Sequence, residues 1–164
     1  MVELIVVIVL IGILGTFAVS RFMDSTSLTK AAWADQVRTM LRYGQKLAIA
    51  QNRPVFVLLQ SDRVALCFVA NAACPPGEQV GAPGGANSAS DATVSACGGN
   101  SWMCEAVPAA LDMSVPATHI AFDALGRAGT QNGAAARLVV AAKGELETGP
   151  VAAIVIDNET GYVD

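Results

Sequence analysis

The residues with chemistry to offer are few. Cys67, Cys74, Cys97 and Cys104 fall within one stretch of the 164-residue chain. An even set of cysteines in an oxidising compartment points to two disulfides. Zinc is the alternative, but structural zinc sites favour cysteine pairs roughly two to four residues apart. Cys67/Cys74 and Cys97/Cys104 are spaced more widely, and the single histidine, His119, is distant. Three connectivities are open. Nested Cys67–Cys104 and Cys74–Cys97 would clamp the base of a loop, whereas Cys67–Cys74 and Cys97–Cys104 would close two local loops. His119 lies in a strand-like Val-Pro-Ala-Thr-His-Ile context, with no nucleophile or acid partner by motif. Asp157, Asn158 and Glu159 group oxygen ligands of the kind calcium takes, but with Thr160-Gly161 they also read as a turn. The Gly81–Gly85 run precedes no helix and so forms no phosphate loop. No catalytic residue, metal site or cofactor is expected, and the chain is not read as an enzyme. One acid remains, Glu3, at the head of a long apolar run.

That run and the segments after it must position everything else. Leu4 to Ser20 carries no charge. About 17 residues make roughly 25 Å of helix, marginal for a bilayer core of roughly 30 Å. A cleavable signal would begin with basic residues; here Glu3 stands in their place. A buried soluble helix would show a polar stripe. Membrane insertion is therefore expected. Past Ser20 the polarity rises, yet no breaker appears before Pro54. Trp33, Val37, Met40 and Leu47 form one apolar stripe, with Asp35, Arg38, Arg42 and Lys46 on the other side as a solvated face. The pattern predicts one helix from about Val2 to about Gln51, about 75 Å long, with Gly44 its only weak point. Asn52-Arg53-Pro54 ends it.

The remainder reads as strands and turns. Val55–Gln60 and Val64–Ala70 form a hairpin around Ser61-Asp62-Arg63. From about Asn71 to Asn100 no periodicity survives, and a long loop is expected, either functional or a spacer tethered by the disulfides. Trp102 and Val107 suggest a short packed element. His119–Phe122, Arg137–Ala142 and Val151–Ile156 read as strands, Leu125-Gly126-Arg127 as a turn, and Tyr162-Val163 as a last edge. The fold class is α+β: a long N-terminal helix packed on an antiparallel β head. The organisation is 1–23 transmembrane or filament-core helix, 24–52 its amphipathic continuation, and 53–164 the head, with a cysteine-bearing insert at 71–104. A net charge of −4 and a pI near 4.9 do not suit nucleic acid as a main partner.

Val2-Glu3-Leu4-Ile5-Val6-Val7-Ile8, followed by Ile11-Gly12-Ile13-Leu14, closely resembles the N-terminus of type IV pilins and type II secretion pseudopilins. In that family a methylated Phe, then Thr, Leu and an aliphatic residue, precede a Glu that Glu3 matches; Gly12 matches the small helix residue. Ala48–Val55 resembles the helix-to-strand junction of H-type pseudopilins and FimT-like minor pilins, with a minor pilin of an MSHA-type pilus as a further reading. Phe122, Gly126 and Arg127 match their Phe-x-x-x-Gly-Arg turn, and Val155-Ile156 with Thr160-Gly161-Tyr162-Val163 their final hairpin. Met1 stands where the family has Leu, so a longer natural N-terminus with a basic leader and a Gly-Phe processing site is expected. Ser20 replaces a helix-kinking Pro found in many pilins.

The resemblance implies a structural subunit of a type IV pilus or type II secretion pseudopilus. It would wait in the bacterial inner membrane as a single-pass protein with a periplasmic head, in contact with membrane lipid. An inner-membrane assembly platform would then lift it into the filament, near the tip. There its N-terminal helix would pack against other pilin or pseudopilin subunits, with Glu3 paired to the neighbour's N-terminal amine. A DNA-uptake minor pilin is the alternative, but the tail is acidic at Asp157, Glu159 and Asp164.

Overall fold

The computed structural model describes residues 2–22, 25–115, 117–130, 136–146 and 149–164; in the first helix it describes side chains as far as Ile13. Helix α1 spans Val2–Phe22 and α2 spans Ser25–Gln51. The single helix read from the sequence thus begins and ends where expected. Its middle, at Met23 and Asp24, lies outside the described residues, as does the side chain of Ser20. Among the described residues no helix is long and apolar enough to cross a membrane. The expected Leu4–Ser20 span runs past Ile13, the last described side chain of α1.

α2 is held by the face its sequence marks. Trp33, Val37 and Met40 are buried, joined by Ala34, Leu41, Gly44 and Ala48; Leu47 is half-buried against the same core. Gly44, the weak point by helix propensity, has a packing role. A Cβ there would stand 2.5 Å from Leu66 Cδ2, so the missing side chain lets helix and sheet approach. α2 stops at Asn52, in the left-handed region at φ 50°. Arg53 N–H donates to Ala48 O (3.2 Å), and Pro54 cannot continue the helix.

Two antiparallel sheets lie under α2. The first is built from β1 (Val55–Leu59), β2 (Arg63–Cys67), β3 (Cys104–Ala106), β5 (His119–Phe122) and β6 (Ala128–Thr130), in the order β3-β2-β1-β5-β6. The second has the order β4-β7-β8, with β4 at Leu111–Ser114, β7 at Ala136–Ala142 and β8 at Ala152–Ile156. Strand alternation sorts the side chains. Val55, Val57, Leu59, Val64, Leu66, Ile120 and Phe122 point to α2, and Leu111, Leu138, Val140, Ile154 and Ile156 join them in one core. Phe56, Leu58, Ala65 and Cys67 point the other way into a second cluster. β1 is therefore covered on both faces, which explains its nearly unbroken apolar sequence.

Two sequence expectations change. The 71–104 insert is not a featureless loop: it holds a 3-10 turn at Pro76–Glu78 and helix α3 at Asp91–Cys97. Ser90 caps α3 by accepting from Thr93 N–H, and Gly98 closes it in the left-handed conformation. Nor is the basic strip on α2 simply a solvated face. Arg38 donates to Asp164 O (3.0 Å) and Ala153 O (3.3 Å), and Arg42 to Val163 O (2.9 Å). These carbonyls belong to β8 and to the last residues of the chain beside it, and arginine supplies their donors.

Candidate functional site

Glu3 lies in the first turn of α1, where the positive end of the helix dipole favours an acid. Its surroundings are unusual for a soluble helix. Val2, Leu4, Ile5, Ile8 and Ile11 are exposed, at 61–75% of their surface, and Val6, Val7, Val9 and Leu10 on the other sides are exposed as well. Among the described residues no ion-pair partner lies near the Glu3 carboxylate. Over Val2–Ile13 the result is a single acid on a helical surface that is apolar all round.

The turn motif is a clasp between the two sheets and α2. Phe122 is buried in the main core. Behind it, Asp123 Oδ1 accepts from the N–H groups of Leu125 and Arg127 (2.9 Å each), and Oδ2 from Arg127 Nε (2.8 Å). Burial works against this carboxylate, but the bonds from Arg127 and Leu125 and the Arg127 charge outweigh it. They hold Asp123 below the ordinary aspartate value. Gly126 turns the chain at φ 81° and Gly161 at φ 65°. The two glycines meet, because a Cβ on Gly161 would overlap the Gly126 carbonyl oxygen. Gln45 of α2 ties both turns, donating to Gly126 O and Thr160 O (2.9 Å each). A shallow cavity of about 420 Å³ lies beside the clasp, lined by Pro54, Phe122, Arg127 and Glu159 among others.

Asp157 Oδ1 accepts from Thr160 N–H (2.8 Å), Thr160 Oγ1 (2.7 Å) and Glu159 N–H (3.1 Å). The backbone bond from Thr160 is the main cause of its lowered pKa. The carboxylate organises the turn; among the described residues no group of three or more His, Cys, Asp or Glu side chains is placed to hold a metal ion. His119 is half-buried, edge-on to Phe56 at 5.5 Å between ring centres, and near Thr118 Oγ1 (3.4 Å).

The cysteines form two local disulfides, Cys67–Cys74 and Cys97–Cys104, each with Cα atoms 5.9 Å apart. Strand register disfavours the nested alternative. β2 and β3 pair Ala65 with Cys104, so Cys67 and Cys104 are diagonal neighbours. Such a diagonal spans about 7–8 Å, beyond the usual reach of a disulfide at about 6.8 Å. Sequence reasoning missed Gln45, Arg38 and Arg42, whose partners lie far along the chain. It also missed Glu105, a buried carboxylate that accepts from Ser88 N–H (2.7 Å), Ser88 Oγ (2.5 Å) and Thr93 Oγ1 (3.1 Å). Ser90, Thr93 and Gly98 were the readable signal for that part of the insert.

An N-terminal helix, α1, and a second, α2, laid across antiparallel sheets, with the last residues clasped back onto α2, make the α+β fold of minor pilins and pseudopilins. Two solved proteins make this concrete. The type IV minor pilin FimU of Pseudomonas aeruginosa superposes with a TM-score of 0.56 over 85% of this chain and 90% of its own, at 13% identity. The minor pseudopilin EpsH from the type 2 secretion system of Vibrio cholerae gives 0.55 over 82% of this chain and 94% of its own, also at 13% identity. At that identity the likeness is one of fold. No family model and no curated protein sequence matches the chain.

Proposed function

We propose that this chain is a structural subunit of minor-pilin or pseudopilin type, without catalytic activity. It would be held in the inner membrane by its first helix until a platform protein delivers it to a filament of other pilin subunits. The observation that carries this is Glu3 at the head of a helix apolar on every side, attached to a head of pilin fold. Such a surface suits both lipid and a bundle of identical helices. A carboxylate in that setting costs several kcal/mol unless it finds a partner. The N-terminal amine of the adjacent subunit is the partner that filament packing would bring. Opposite charges in a low-dielectric core offset each other's desolvation, and the pair sets axial register more than it adds stability. The head would lie in the periplasm, where its disulfides form, and later near the filament tip. Its acidic tail, and the use of Arg38 and Arg42 on carbonyls of the same chain, favour protein partners over DNA.

Glu3→Ala tests the pairing. Membrane insertion of the variant is expected to persist, since a charge is removed from an apolar helix. Its recovery in sheared filaments, read by immunoblot against the membrane pool, should fall sharply. Wild-type recovery in filaments would rule out the charge pair as the register contact.

A further inference from the structure

The face of the five-stranded sheet turned away from α2 has its own cover, built around sulfur. Phe56, Leu58, Ala65 and Cys67 of that face pack with Cys74, Cys97, Trp102 and Cys104 in a cluster that shares no residue with the main core. The insert touches the sheet as two lobes on either side of Val80. Val80 N–H donates to Leu66 O (3.2 Å), and its side chain enters the main core. Each lobe is stapled to a different strand: Cys74 to Cys67 at the end of β2, and Cys97, the last residue of α3, to Cys104 at the start of β3. The other anchors are polar. Arg63 donates to Ala72 O in one lobe (3.4 Å) and to Ala96 O in the other. Trp102 Nε1 donates to Cys97 O (3.0 Å), and Ser88 and Thr93 hold Glu105. The lobes themselves, rich in Gly, Ala, Ser and Asn, bring little apolar surface; Val94, the one branched apolar residue of α3, is 43% exposed.

We propose that the insert is an oxidation-latched layer. With both disulfides formed, the lobes cover the outer face of β1 and β2. With the disulfides reduced, the lobes detach at Val80 while α2 and the two sheets stay folded, and an apolar face opens on the head. The chemistry needs a dithiol reductant. Its thiolate attacks one sulfur of a cystine, and its second thiol resolves the mixed disulfide. Each cystine gains two electrons and two protons to become two thiols, and the dithiol is oxidised to a disulfide. The latch protects itself: the four sulfur-bearing residues are at most 6% exposed, so a reductant gains access only through local opening. Arg63 and the shared apolar cluster couple the lobes, so loss of one bond loosens the other lobe.

The two tryptophans report the two cores separately, Trp33 in the main core and Trp102 in the latch. The full chain in detergent, carrying Trp33→Phe or Trp102→Phe, is compared with and without dithiothreitol, and free thiols are counted by alkylation and intact mass. On appearance of four thiols, Trp102 emission should shift to the red. Thermolysin cleavage within 83–101 should accelerate more than tenfold, while Trp33 emission and far-ultraviolet circular dichroism stay within a few per cent. Unchanged Trp102 emission and cleavage with four thiols present would overturn the latch. Collapse of the Trp33 signal in step with Trp102 would also overturn it, by showing one cooperative core. Where the buried bonds resist the reductant, Cys97→Ala with Cys104→Ala decides: accelerated cleavage within 83–101 supports the proposal, and wild-type resistance there refutes it.

Discussion

Replacing Gly161 by alanine drives a methyl group into the Gly126 carbonyl oxygen and to 2.5 Å from Gln45 Nε2. Two costs add. The left-handed backbone at φ 65° disfavours any L side chain by about 1 kcal/mol. The overlap then drives the two turns apart and breaks the Gln45 bonds to Gly126 O and Thr160 O, about 1 kcal/mol each. The expected loss is about 3 kcal/mol, a large share of a typical 5–15 kcal/mol. Gly144→Ala is the internal control. Gly144 has φ 81° but open space around its Cβ position, so it should lose about 1 kcal/mol. Gly126→Ala belongs between them, because its clash is with the movable end of Ile49 at 2.7 Å. Urea unfolding of a head fragment beginning near Thr29, followed by Trp33 emission, reads the series. With a slope of about 2 kcal/mol per molar urea, Gly161→Ala should unfold about 1 M earlier than Gly144→Ala. Equal midpoints would refute the close approach as the reason for glycine at 161.

The disulfides predict an intact mass that rises on alkylation only after reduction; four thiols reacting without reductant would contradict an oxidising compartment for the head. Asp123 and Asp157 have folded pKa values below their unfolded ones. Their contribution is thus present above the ordinary aspartate range and lost as pH falls through the lower folded values. Carboxyl-carbon NMR should show both titrating below the ordinary aspartate range, and Asp157→Ala should lower the urea midpoint at pH 7 more than at pH 3. Arg42→Ala should loosen the chain end, seen as faster amide exchange at Tyr162 to Asp164, with β1 and β2 unaffected.

Strands β1, β2, β5, β7 and β8 were legible because each is a short, mostly apolar run bounded by turn residues. β4 and β6 were not. Leu111–Ser114 carries Asp112 and Ser114, and Ala128–Thr130 is short with Gly129 at its centre; their strand state comes from neighbours, Val139–Ala142 and Ile120–Phe122. The end of α2 was readable at Asn52-Arg53-Pro54. Its basic strip misled, since helical spacing shows which residues share a face but not that a chain end 121 residues away will need donors there. For the same reason Gln45 looked like an ordinary polar helix residue, although it joins both turns of the clasp. The cysteine count told of two bonds, whereas pairing depended on the register of β2 against β3, a non-local quantity. Phe122, Gly126, Arg127 and Gly161 stand out in the sequence by their resemblance to a family turn; their geometry makes them a joint between the two sheets and α2.

The bonds from Arg38 and Arg42 to carbonyls at 153, 163 and 164 also define how the head bears mechanical load. A pull along α2 is not resisted by side-chain packing alone. It passes through two guanidinium groups, about one turn apart on the helix, into β8 and the chain end beside it. From there it spreads across the β7–β8 ladder, which is paired over five residue positions from Ala136–Ile156 to Val140–Ala152. Ladder bonds strained along the strands share the force among themselves and yield together, unlike bonds unzipped one by one. The second helix and the last residues of the chain are thus joined by directed bonds as well as by packing, so load on α2 is shared between the β1–β2 hairpin it runs into and the β7–β8 ladder.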